Sequence, residues 1–158
     1  MDSKQINELF RKYGRTLGSV ESFTGGLFAS DITRVPGASH FYKGGIVTYA
    51  TEEKVRLLGI SYEDVDNYGV VSQEIAGQMA AHAQKLLSCD YCVSFTGNAG
   101  PEAMENKPVG EIYIGVAFYQ NVKVFKFNLE GNREKIQTRA VELAYEILSI
   151  ILKEVENS

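Results

Sequence analysis

Ser22, Tyr49, Lys54 and Thr96 are the side chains whose types and positions suit hydrolytic chemistry. A serine hydroxyl is a weak nucleophile at neutral pH and needs a base to take its proton. Neither His40 nor His82 is placed at the loops that carry Ser22, Tyr49 and Thr96, so the base must be another side chain. Lys54 is the better candidate, because a lysine partly desolvated in a cleft can lose enough basicity to accept a proton near neutrality. Tyr49 can relay or orient. Thr96, with the amides of Gly97 to Gly100, can bind an oxyanion or a phosphate. Singly, each also reads as structure: a cap, a half-buried strand aromatic, a solvated helix lysine. Their joint placement decides between the readings, so the elements that position them come next.

Ser22 lies in Val20-Glu21-Ser22-Phe23-Thr24-Gly25-Gly26, after an apolar Thr16 to Val20 suited to a buried strand and before a helical Leu27 to Ile32. The two glycines permit close backbone approach, and the first amides of the helix lack intrahelical acceptors, which predicts donors free to meet an anion. Pro36-Gly37 ends that helix, and Phe41 to Tyr49 reads as a strand with Gly44-Gly45 marking a bulge or a close approach. Thr51 is the expected N-cap of a helix that carries Lys54 and stops at Gly59. Ser61 to Asn67 and a longer helix opened by Ser72 follow, the latter with Ile75, Met79, Ala83, Leu86 and Leu87 on its apolar face and His82 nearby as a packed or interface residue. Tyr91 to Phe95 is a compact strand leading into a long loop, Thr96 to Gly110. Ile112 to Phe118 and Val122 to Leu129 form a hairpin, and a helix runs from Arg133 to about Val155, balancing a first one over Gln5 to Tyr13.

This alternation predicts a three-layer α/β/α sandwich with a mixed, mostly parallel sheet. Ligands of such sheets bind beyond the carboxyl ends of the strands, where the loops at Ser22, Tyr49 and Thr96 all fall. At 158 residues, with 44% hydrophobic and 23% charged side chains, the sequence fits a single domain over 1–158. A net charge of -4 with no basic run argues against nucleic acid, and the lack of a signal-like or membrane-length apolar run predicts a cytoplasmic protein without membrane contact. Cys89 and Cys92 form a C-x-x-C where a helix ends and a strand begins, a place that reads as structural and not as a redox or zinc site.

Seven ordered stretches resemble the CinA C-terminal domain family: Glu21 to Gly26, Val35 to Ser39, Gly44 to Tyr49, Glu53 to Gly59, Gly69 to Ser72, Thr96 to Pro101 and Lys107 to Gly110. The resemblance implies a nicotinamide-nucleotide amidase, which converts nicotinamide mononucleotide and water to nicotinic acid mononucleotide and ammonia without metal or organic cofactor. It carries catalytic roles to Ser22, Tyr49, Lys54 and Thr96, and nucleotide binding to Thr24, Gly25, Gly26, Gly97, Gly100 and Pro101. A homo-oligomer is expected by the same resemblance. The chain departs from the family pattern at Phe23 (usually Cys), Ala50-Thr51 (usually Ser-Asn), Asn98 (often hydrophobic), Glu102 to Asn106 (fewer glycines than expected) and Gln137 (often Arg). Those departures leave room for an amidohydrolase with a shifted substrate, or for a non-catalytic nucleotide-binding module of a competence or DNA-damage response.

Overall fold

The computed structural model describes residues 1–158. Its elements run α1 (Ser3–Tyr13), β1 (Leu17–Glu21), α2 (Leu27–Thr33), a 3-10 turn (Ala38–His40), β2 (Tyr42–Val47), α3 (Thr51–Leu58), α4 (Tyr62–Tyr68), α5 (Gln73–Leu87), β3 (Tyr91–Gly97), β4 (Glu111–Phe118), β5 (Asn121–Asn128) and α6 (Arg133–Glu156). The strands form one sheet in the order β2-β1-β3-β4-β5. β1 pairs in parallel with both β2 and β3, while β4 runs antiparallel to β3 and to β5. Only β4 therefore opposes the common direction.

Burial follows position in the sheet. β1, β3 and β4 are buried along their whole length, as expected where strands lie between neighbours and under helices on both faces, whereas the edge strand β2 alternates. On one face Leu17, Tyr91, Val93 and Phe95 pack with Phe10 of α1, Phe28 of α2 and Tyr145 and Leu148 of α6. On the other, Val20, Cys92 and Ala117 meet Ile75, Met79 and Ala83 of α5. Adjacent strand residues feed opposite layers because the side-chain period of a strand is two. The sandwich is thus α/β/α with a mixed sheet, as the alternation of elements predicts.

Local signals place most boundaries. Asp2 and Gln5 form a reciprocal capping box on α1, Ser61 and Ser72 cap α4 and α5, and Gly14 and Gly59 close α1 and α3 in left-handed conformations. The glycine pair of β2 serves both expected purposes. The register shifts between Leu17 and Gly18 opposite it, and a Cβ on Gly45 would lie 2.5 Å from the Tyr42 hydroxyl and 2.7 Å from Ser19 Oγ. Cys89 and Cys92 are buried free thiols at the junction of α5 and β3. His82 is half-buried, with Nδ1 bonded to the carbonyl of Leu58. No helix is long and apolar enough to cross a membrane.

Candidate active site

Because β1, β2 and β3 share a direction, their carboxyl ends bring three loops to one sheet edge, with the Ser22 turn in the middle. A cleft of about 410 Å³ opens there. Ser22, Phe23 and Tyr49 form one wall, Gly97 to Glu102 and Met104 the other, and Arg133 lies at the rim. Of the expected nucleotide-binding residues, Gly97, Gly100 and Pro101 line this cleft, while Thr24, Gly25 and Gly26 lie off its surface.

Lys54 lies behind the wall and is only 1% exposed. Side chains on a helix lean toward its N-terminus, so a lysine in the first turn of α3 reaches back over the end of β2. Its Nζ lies 3.1 Å from Ser22 Oγ and donates to the Thr48 carbonyl at 2.7 Å. Burial pulls its pKa down from 10.5 to about 8, against an opposing pull from the Glu105 carboxylate. A base with that value next to a serine hydroxyl can take its proton near neutrality. Lys54 is therefore no solvated helix lysine. Thr51, expected as the N-cap, is instead the first helical residue, and the cap position is Ala50, which supplies no side-chain bond. Tyr49 is 63% exposed, with its hydroxyl accepting from Arg133 Nη2 at 2.9 Å.

The amides at the start of α2 are not open to a ligand, contrary to the expectation from the glycine-rich turn. Glu21, fully buried at the end of β1, takes them itself. Its Oε1 accepts from Thr24 Oγ1 at 2.7 Å, from the Gly26 amide at 3.2 Å and from the Phe28 amide at 3.0 Å, and its Oε2 accepts from the Ala29 amide at 3.1 Å. A helix start with unpaired N–H groups needs an acceptor, and the strand supplies one from within. Thr24 and Gly26 thereby brace the turn that presents Ser22.

Thr96 also differs from its expected role as an oxyanion donor. It is buried, and its hydroxyl donates to the Val70 carbonyl at 2.6 Å. Thr96 ties β3 to the segment before α5. Glu105 grips the same segment through the amides of Val70 and Val71 at 2.9 and 3.0 Å, and Lys107 Nζ donates to the Val71 carbonyl. These bonds hold the long loop down on the sandwich. Glu105 and Asn106 both have positive φ, 54° and 59°, which explains why glycines suit this stretch in the family pattern. Asn98 is a loop brace as well: its Oδ1 accepts from the Gly100 amide at 3.2 Å and its Nδ2 donates to the Lys107 carbonyl at 3.2 Å.

Two further departures resolve into contacts. The Phe23 ring is buried in the core on the α6 side, so it packs beneath the nucleophile turn and leaves Ser22 accessible. Gln137 Nε2 donates to the Phe23 carbonyl at 2.8 Å, tying that turn to α6. One helical turn earlier, Arg133 donates to the Gly100 carbonyl at 2.6 Å and to Tyr49, bridging the two walls of the cleft. Arg133, Glu21 and Glu105 are site residues that the sequence reading missed. Glu21 alone left a signal: a carboxylate closing a buried strand just before a helix start.

The family model of the CinA C-terminal domain matches residues 2–152. Among curated relatives, a protein named competence-damage inducible from Caldicellulosiruptor saccharolyticus is 44% identical over 144 residues, covering 90% of this chain and 35% of that protein. A CinA-like protein from Flavobacterium psychrophilum is 41% identical over 144 residues, covering 90% and 34% respectively. The chain thus spans about a third of the length of these relatives. Among solved structures, the competence/damage inducible protein CihA from Agrobacterium tumefaciens superposes with a TM-score of 0.90 at 32% identity, over 96% of this chain and 93% of that one. A CinA superfamily protein from Klebsiella pneumoniae has the same fold, with a TM-score of 0.93 at 24% identity over 98% and 99% of the two chains. A fold, a set of ordered motifs and a family match over residues 2–152 agree, and the chain belongs to the CinA C-terminal domain family.

Proposed function

We propose that the protein is an amidohydrolase that releases ammonia from the carboxamide of nicotinamide mononucleotide, leaving nicotinic acid mononucleotide. The observation that carries this reading is the buried Lys54 Nζ at 3.1 Å from the hydroxyl of Ser22, which itself lines an open cleft. A lysine held at a pKa of about 8 by burial is a poor structural choice and a good base. In the neutral state Nζ takes the Ser22 proton as Oγ attacks the amide carbon, then passes a proton to the departing ammonia. Water hydrolyses the resulting ester by the same groups in reverse.

The cleft suits a nucleotide of this size. Arg133 offers a guanidinium anchored on Gly100 and Tyr49, and its remaining N–H groups suit a phosphate at the rim. The Tyr49 ring, largely exposed on the facing wall, offers a surface for the pyridine or the ribose. Gly97, Gly100 and Pro101 shape the opposite wall, while Thr24, Gly25 and Gly26 hold the Ser22 turn.

Incubation of the purified protein with nicotinamide mononucleotide, with ammonia and nicotinic acid mononucleotide both quantified, tests the reading. Stoichiometric appearance of the two products is expected. Calorimetric binding of the nucleotide without either product would replace the enzyme with a nucleotide-binding module.

A further inference from the structure

We infer that the oxyanion formed during this reaction is held by two backbone N–H groups, those of Phe23 and Ala99. The inference rests on the amidase reading above. Attack by Ser22 Oγ forms the oxygen–carbon bond, moves the carbonyl π pair onto oxygen and transfers the serine proton to Lys54 Nζ. Collapse returns that pair, breaks the carbon–nitrogen bond, and the nitrogen leaves as ammonia with the proton from Lys54. The transient negative oxygen needs donors already aimed at it.

Most of the donors suggested by composition are committed. The α2 amides of Gly26, Phe28 and Ala29 serve Glu21, and the Thr96 hydroxyl serves Val70. In the second loop the Asn98 amide donates to the Glu111 carbonyl at 3.0 Å, and the Gly100 amide to Asn98 Oδ1.

Among the cleft-lining N–H groups without a partner in the protein, those of Phe23 and Ala99 lie on buried residues whose preceding carbonyl is bonded. In the first of these peptides, the Ser22 carbonyl accepts from the Gly25 amide at 3.0 Å, and the Phe23 N–H has no partner in the protein. In the second, the Asn98 carbonyl accepts from the Gly110 amide at 2.7 Å, and the Ala99 N–H has none. Both peptides are trans, so N–H and carbonyl point in opposite directions, and a bond that pins the carbonyl also fixes the line of the N–H. Phe23 and Ala99 are only 4% and 3% exposed, and both line the cleft with Ser22. Unpartnered N–H groups on buried residues are rare, and two on residues that line one cleft with a nucleophile supply a preorganised donor pair for an anionic oxygen. One donor from the residue after the nucleophile and one from a neighbouring loop is also the arrangement that α/β-hydrolases use.

Backbone esters remove one N–H while keeping the side chain. Replacing Phe23 by its α-hydroxy analogue, and separately Ala99 by lactate, is expected to lower kcat roughly 100-fold or more with KM within about threefold. An ester at Gln120, in the exposed hairpin turn, serves as the control and keeps the wild-type rate. The 3-formyl analogue of the substrate, whose hemiacetal with Ser22 carries the same oxygen, is expected to bind each cleft ester more weakly, while nicotinic acid mononucleotide binds unchanged. Wild-type turnover with undiminished kcat in both cleft esters would overturn the oxyanion assignment and leave the amidase standing. Absence of wild-type turnover would overturn the amidase reading, and this inference with it.

Discussion

Replacing Lys54 with methionine is expected to stabilise the fold at neutral pH while abolishing turnover. Burial lowers the lysine pKa from 10.5 to about 8, and holding the side chain protonated in that environment costs roughly 3 kcal/mol relative to the unfolded chain. The sign follows from proton uptake. Between about pH 8 and 10.5 the unfolded chain keeps a proton that the folded chain has released, so stability rises with pH across that window and the penalty is full below it. Methionine fills a similar volume without charge, but forfeits the bonds to Ser22 Oγ and the Thr48 carbonyl, a loss of roughly 1–2 kcal/mol. The variant should therefore be more stable than the wild type by about 1–2 kcal/mol at pH 7 and less stable by a similar amount at pH 10.5. Urea denaturation of both proteins at the two pH values reads this difference, and titrations common to both cancel in it. A stability difference that stays constant between those pH values would refute the burial of a charged lysine at this position.

Other perturbations read other parts of the site. Glu21→Gln leaves one acceptor oxygen for four donors and turns an amide group toward backbone N–H groups, so it should cost about 1–3 kcal/mol and lower kcat, read by denaturation and by ammonia release. Wild-type activity should rise with pH through about 8 as Lys54 loses its proton, and Glu105→Gln, which removes the charge opposing that loss, should move the midpoint of the kcat/KM profile to lower pH. A midpoint that stays put or moves up would separate Glu105 from Lys54. Arg133→Met should raise KM for the nucleotide by about tenfold or more while leaving the rate on the unphosphorylated nucleoside unchanged; an equal loss on both substrates would remove the phosphate role.

The layered fold was legible because each element carries its own period and its own punctuation. Ser61, Ser72, Gly14 and Gly59 act where they stand, and the parallel placement of the three loops follows from the alternation of strand and helix. The pairing of Lys54 with Ser22 was legible for the same reason: a helix that leaves one strand end points its first-turn side chains back toward the neighbouring strand. What could not be read is which donors are already spent. The acceptor for the α2 amides is Glu21, whose place between a buried strand and a helix start hints at that role but does not show that its carboxylate folds under the helix to take four donors. The Thr96 hydroxyl looks free until Val70, 26 positions earlier, is packed beside it. Arg133 reads as an ordinary first-turn helix residue, and only the fold carries it to Tyr49, 84 positions away.

In the proposed mechanism Ser22 attacks the carboxamide with Lys54 as its base. Acid-quenching the protein during turnover of nicotinamide mononucleotide and analysing it by intact-mass and peptide mass spectrometry tests this directly. An ester of nicotinic acid mononucleotide on the peptide carrying Ser22, absent from Ser22→Ala along with ammonia release, is the predicted result. Product formation by Ser22→Ala within a few-fold of the wild-type rate, with no adduct on either protein, would contradict it.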